Sequence, residues 1–120
     1  MKITENKQLR GLFSLDHNIK LYIPSTVNVD RKIDNSQHVT NTLALFSRLF
    51  GGATSYKAKG AWNSDAKGLV VESITIVESY GTADQMNDGL ETVLKYASGL
   101  KATMNQEAIS LEYDNRLYFV

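Results

Sequence analysis

Strand-type and helix-type patterns of apolar residues alternate along this chain in two successive cycles. Ile19, Leu21 and Ile23 alternate with Lys20 and Tyr22, the period-two signature of a half-buried strand, and Pro24 ends the run. Val39, Leu43, Phe46 and Phe50 then recur at steps of four, three and four, predicting a helix over 36–50 with those residues toward a sheet. Asp34 and Ser36 are candidate N-caps, with Gln37 in capping-box spacing from Asp34, and Gly51-Gly52 supplies a C-terminal stop. A second strand is expected over 55–62. The second cycle repeats the logic, with a β-branched strand over 69–80, a Thr82/Gln85 capping box and a helix over 83–104. Its stripe is Met86, Leu90, Val93, Ala97, Leu100 and Met104. Ile109 and Leu111 mark a fourth strand, Asp114-Asn115 a tight turn, and 117–120 a terminal edge strand.

A duplicated β-α-β pattern of this length buries a core by laying two helices on one face of an antiparallel sheet. The predicted fold is therefore α+β, a ferredoxin-like sandwich: βαββαβ plus a C-terminal edge strand. Residues 19–120 form that single domain and residues 1–18 an N-terminal arm, in which Leu9, Leu12 and Phe13 have helical spacing within a short polar segment.

Composition narrows the function classes. Cysteine is absent, which removes disulfides, thiolate metal sites and a nucleophilic thiol. No apolar run reaches the length of a membrane span, so the expectation is a soluble, cytoplasmic protein with no membrane partner. Thirteen basic and thirteen acidic residues cancel, which argues against nucleic acid. The first 60 residues nevertheless carry nine basic against four acidic residues, an asymmetry that would steer a charged partner if it survived folding.

Candidate chemistry is sparse. His17 and His38 have no acidic or histidine neighbour at ligand spacing and read as solvated, and no cofactor or metal motif is present. Glycines 51 and 52 follow a helix instead of preceding one, the wrong polarity for a phosphate cradle. Glu72 and Glu78 share a strand face with Ile74, Ile76 and Tyr80. If that face meets the helices, two buried carboxylates form an acid/base site, against the blander reading of ion-paired residues at a core margin. In the segment 56–62, Tyr56 and Trp62 flank Ala58 and Gly60 on one face, leaving a slot for a flat ligand or another chain, while Lys57 and Lys59 take the other. Tyr22, with Lys20, Ser73, Thr75 and Ser110, is expected on the helix-free face.

The stretches Leu21-Tyr22-Ile23-Pro24-Ser25-Thr26, Leu49-Phe50-Gly51-Gly52-Ala53-Thr54, Gly60-Ala61-Trp62 and Val77-Glu78-Ser79-Tyr80 resemble those of a family of small uncharacterised proteins of Gram-positive bacteria and their mobile elements. The resemblance covers about 19–120 and implies a setting in which short proteins bind and block host machinery. The resulting expectation is a non-enzymatic protein-interaction module, in its sharper form a mobile-element inhibitor of host defence machinery. Its partner is another protein or a second copy in a homodimer, and it uses Tyr22, Tyr56, Lys57, Lys59, Trp62, Glu72, Glu78 and Tyr80. The alternative is a ligand-binding or enzymatic domain of the dimeric α+β barrel type, with a pocket near Glu72, Glu78 and Trp62.

Overall fold

A computed structural model describes residues 6–27 and 31–120. Its elements are a 3-10 turn (Lys7–Leu9), β1 (His17–Pro24), β2 (Thr26–Val27), β3 (Arg31–Lys32), α1 (Ser36–Phe50), β4 (Thr54–Ser64), β5 (Gly68–Gly81), α2 (Ala83–Thr103), β6 (Ser110–Tyr113) and β7 (Arg116–Phe119). Five strands form one antiparallel sheet in the order β4-β5-β1-β6-β7, while β2 and β3 pair as a separate short ribbon. Both helices pack on one face, so the ferredoxin-like α+β sandwich expected from the periodicity is the fold observed.

The register decides which residues reach the core. Leu21 sits opposite Val77 on β5 and Leu111 on β6, and all three are buried under the helices. Ile19 and Ile23 share that face. From α1 come Leu45, Phe46 and Phe50, with Phe46 and Phe50 edge to face at 5.5 Å; from α2 come Met86, Val93, Ala97 and Leu100. The α1 stripe is rotated from its predicted position. Val39 and Leu43 are only partly buried, and Thr42 is fully buried because its hydroxyl donates to His38 O at 2.7 Å and lies 2.8 Å from the Tyr96 hydroxyl of α2. Burying a hydroxyl is inexpensive once both helices supply partners.

The caps show which short-range signals operate. Thr82 and Gln85 form the predicted capping box, worth about 1 kcal/mol. Gly51 closes α1 in the left-handed conformation, φ 91°, its N–H bonded to Ser47 O. At the start of α1 the N-cap is Asn35. Asp34 accepts from the Ser36 N–H and hydroxyl, which hold its carboxyl below the usual range, and Gln37 bonds Asn41 instead of completing a box. Gly89 of α2 packs directly against α1, where an added Cβ would lie 3.0 Å from the Phe50 ring and 3.5 Å from Leu49 Cβ. Its helix-propensity cost is thus exchanged for close packing.

At the turn between β6 and β7, Asp114 and Asn115 both have positive φ (47° and 68°), the geometry of a two-residue hairpin loop. Asp114 also ties down the start of β1. His17 Nδ1 lies 2.7 Å from its carboxylate, the Asn18 N–H donates to it at 3.0 Å, and the His17 ring stacks on Tyr113. His17 is therefore not the partnerless histidine expected from local spacing. The His17 hydrogen bond, aided by the Asn18 amide, holds the Asp114 carboxyl below its ordinary value of 3.8. A depressed folded value means that this stabilisation is complete above pH 3.8 and lost as pH falls through the folded value. Asp114→Asn should flatten that acid limb in a pH series of urea denaturations; an unchanged limb would show that the His17 link does not contribute.

Candidate functional site

Strand alternation combined with the β1-β5 register fixes the facing of β5. Thr75, Val77 and Ser79 point to the helices, with Ser79 donating to Gly52 O at 2.6 Å, so Glu72, Ile74, Ile76, Glu78 and Tyr80 lie on the open face. The alternative in which Ile74 and Ile76 meet the helices is overturned, and with it the placement of Ser73 and Thr75 on the open side. The pattern misled because Ile76 is buried on the open face too, between its cross-strand neighbours Tyr22 and Tyr56.

Six of the eight residues singled out from the sequence, Tyr22, Tyr56, Trp62, Glu72, Glu78 and Tyr80, are thereby gathered on this open face. Lys57 and Lys59 lie on the other face of β4, opposite Thr75 and Ser73, and line a cavity of about 570 Å³ with Asp34, Asn35 and Ser25. Glu72 and Glu78, six residues apart, are separated by about 20 Å along the strand and form no acid/base pair.

Glu78 belongs instead to a cluster drawn from three strands. Lys20 Nζ is 3.7 Å from Glu78 Oε2 and 3.6 Å from Glu112 Oε2; Asn18 donates to Glu78 at 3.0 Å and Tyr22 to Glu112 at 3.0 Å. All are partly buried. Burial pulls the Lys20 ammonium down, but Glu112, Tyr56 and Glu78 outweigh it and hold the pKa above 10.5, so Lys20 stays charged at neutral pH. Burial, with the hydrogen bond to Glu112, pushes the Tyr22 phenol above 10.0. Lys20 was expected on this face from alternation in β1, but its pairing with Glu78 and Glu112, and the parts of Asn18 and Glu112, escaped the sequence reading because the partners are distant in the chain.

Beyond Pro24, which pairs with Ile74, β1 no longer accompanies β5. Residues 68–73 and their β4 partners continue as a two-stranded ribbon. The β2-β3 ribbon lies alongside, and the two enclose a cavity of about 520 Å³ reached by Trp62 and Glu72 and also lined by Thr26, Lys32, Lys59 and Lys67. Thr26 is buried, yet its hydroxyl has no hydrogen-bond partner among the described residues. A separate cavity of about 520 Å³, at the opposite end of β5, is lined by Glu78 and Tyr80 together with Phe13, Leu15 and the 50–54 segment. The single pocket expected near Glu72, Glu78 and Trp62 is thus two separate cavities toward opposite ends of β5. Gly60 and Ala58 floor the open face between Tyr56 and Trp62. Space above Gly60 is free, since a Cβ there would make only ordinary contact with Glu72 at 3.9 Å. Among the described residues no three His, Asp or Glu side chains are placed to hold a metal ion, and no helix is long and apolar enough to cross a membrane.

No family model and no curated protein matches the chain. Two solved structures share its fold end to end. A phage SAM lyase in complex with S-methyl-5'-thioadenosine superposes with a TM-score of 0.64 at 14% identity, and a phage SAM lyase in the apo state with 0.63 at 15%; each covers 99% of this chain and 95% of the other. These neighbours belong to an enzyme. The expected non-enzymatic interaction module is corrected on that finding, and the enzymatic, ligand-binding alternative fits better.

Proposed function

We propose that this protein is a small lyase that cleaves the sulfonium of S-adenosylmethionine, releasing S-methyl-5'-thioadenosine, and that the substrate lies along the open sheet face between Lys20 and Trp62. The observation that carries the reading is the chemistry gathered on that face. A sulfonium amino acid presents a flat purine, a fixed positive charge, an ammonium and a carboxylate. Along the face stand two aromatic rings flanking a glycine-alanine floor, the carboxylates of Glu72, Glu78 and Glu112, and a Lys20 that is charged at neutral pH. Aromatic faces and carboxylates attract cations, and a charged lysine suits a carboxylate. The fold match supports the same reading, because the solved neighbour binds the thioadenosine product.

Cleavage without water needs no protein nucleophile. The substrate's own carboxylate attacks the γ-carbon, the carbon-sulfur electron pair goes to sulfur, and a neutral thioether leaves while a five-membered lactone closes. The work left to the protein is to hold the carboxylate behind that carbon and exclude water. Lys20, held in place by Glu78 and Glu112, is the group that positions the carboxylate. The mobile-element setting is compatible with this chemistry, the solved neighbours being phage proteins.

Trp62 is the sole tryptophan and is about half exposed, so its fluorescence reports on the proposed site directly. Titration with S-methyl-5'-thioadenosine is expected to give a saturable change in emission. No change up to millimolar ligand would remove the purine from this face.

A further inference from the structure

The polar end of the open face carries more negative than positive charge. Lys20 meets two carboxylates, Glu78 and Glu112, and the pairing leaves one negative charge unmatched. Hydrogen bonding decides where that charge lies. Both oxygens of Glu112 are engaged, Oε1 by the Tyr22 hydroxyl and Oε2 by Lys20. On Glu78, the Asn18 amide and Lys20 both approach Oε2, while Oε1 has no hydrogen-bond partner among the described residues. That free oxygen is open to a ligand. The Thr26 hydroxyl is the one buried side-chain polar atom without a partner among the described residues, so Glu78 Oε1 reaches the surface, on a side chain 18% exposed. Glu78 also lines the cavity of about 520 Å³ that it shares with Tyr80, Phe13 and Leu15.

We propose that Glu78 Oε1 receives the α-ammonium of the substrate while Lys20 holds the carboxylate borne by the same carbon. The inference rests on the lyase reading above and adds to it a requirement for a free α-amino group. Of the substrate's two cationic groups, only the ammonium suits this oxygen, because it carries N–H donors and a sulfonium carries none. Connectivity selects it as well. Ammonium and carboxylate share one carbon, so a carboxylate on Lys20 brings the ammonium beside Glu78, whose Oε2 is 3.7 Å from Lys20 Nζ. The amino-acid zwitterion is thereby set antiparallel to the Lys20–Glu78 pair, and the sulfonium lies further along the face, toward Tyr56 and Gly60. The ammonium takes no part in bond-making. Its contact orients the carboxylate and rejects substrates whose amino group is acylated or missing.

Calorimetric titration with two unreactive thioethers tests it: S-adenosylhomocysteine, and its analogue with hydrogen in place of the α-amino group. The native protein is expected to bind the first about tenfold more tightly, the scale of one charge-assisted hydrogen bond. Glu78→Gln should bring that ratio below about twofold, because Asn18 holds the amide oxygen in the place of Oε2 and the amide nitrogen then faces the ammonium. Glu112→Gln, which takes the same charge from Lys20 but no free oxygen, should leave the ratio standing. The ratio is taken within each protein, so a general loss of affinity cancels, and circular dichroism checks folding. Equal binding of the two thioethers by the native protein would overturn the inference, as would a ratio that survives Glu78→Gln or that Glu112→Gln abolishes equally. In those cases binding of S-methyl-5'-thioadenosine by the native protein keeps the lyase reading intact, whereas a native protein that binds none of the three ligands loses both.

Discussion

Phe46→Ala is expected to destabilise the fold by about 3–5 kcal/mol, read as a shift of the urea midpoint followed by far-ultraviolet circular dichroism. Phe46 is completely buried, the largest such side chain among the described residues, and its ring meets Phe50 edge to face. Phe50 in turn fills the space that Gly89 leaves on α2. Truncation therefore removes the transfer free energy of the ring and opens a cavity at the point where both helices and the sheet meet. Relaxation is limited because α1 is held at that end by the Gly51 cap and by the Ser79 hydroxyl on Gly52 O. A loss below about 1 kcal/mol would mean that the site collapses freely, contrary to the interlocked packing described above.

Gly60→Leu should separate activity from stability. A Cβ added at Gly60 makes only ordinary contacts, with Glu72 at 3.9 Å and Ile74 at 4.0 Å, and replacing glycine within a strand removes an entropic penalty of about 0.5–1 kcal/mol. The folded state should be unharmed or slightly more stable. The same side chain would occupy the floor between Tyr56 and Trp62, where the purine is proposed to lie. Turnover of S-adenosylmethionine should fall at least about a hundredfold, equivalent to ~2.7 kcal/mol of lost transition-state stabilisation. Unchanged turnover in a folded Gly60→Leu protein would place the substrate elsewhere on the molecule.

The elements most legible in the sequence are those fixed by local signals. Helix α1 runs over the predicted 36–50, and α2 over 83–103 against a predicted 83–104, because periodicity, a capping box and glycine stops act within a few residues of one another. What failed was whatever depends on pairing. Thr42 lies in the core because Tyr96, 54 residues away, satisfies its hydroxyl. The facing of β5 is set by Leu21 meeting Val77; its own sequence is apolar on one face at Ile74 and Ile76 and on the other at Val77, so alternation cannot choose. The β2-β3 ribbon has two-residue strands, too short to leave a pattern in a stretch that reads as polar loop.

The candidate site shows the same division. Tyr22, Tyr56, Trp62, Glu72, Glu78 and Tyr80 are recognisable in the sequence as residue types out of place on a simple core strand, and periodicity groups them within each strand, but only the β1-β5 and β4-β5 registers bring the three groups to one face. Lys20, which alternation in β1 already puts on that face, joins Asn18 and Glu112 at its polar end through contacts that span 58 to 92 positions in the chain, and no local spacing announces those contacts. The absence of a recognisable catalytic motif also has a chemical reason within the proposed reaction. When the substrate supplies both nucleophile and leaving group, the protein needs a shaped and charged surface, for which sequence carries no compact signature.

The most direct test is to incubate the purified native protein with S-adenosylmethionine and follow the products by mass spectrometry. The account predicts time-dependent release of S-methyl-5'-thioadenosine together with homoserine lactone, abolished by Lys20→Met and sharply reduced by Gly60→Leu. S-adenosylmethionine that decays no faster than in buffer alone, with protein that is folded by circular dichroism, would contradict it.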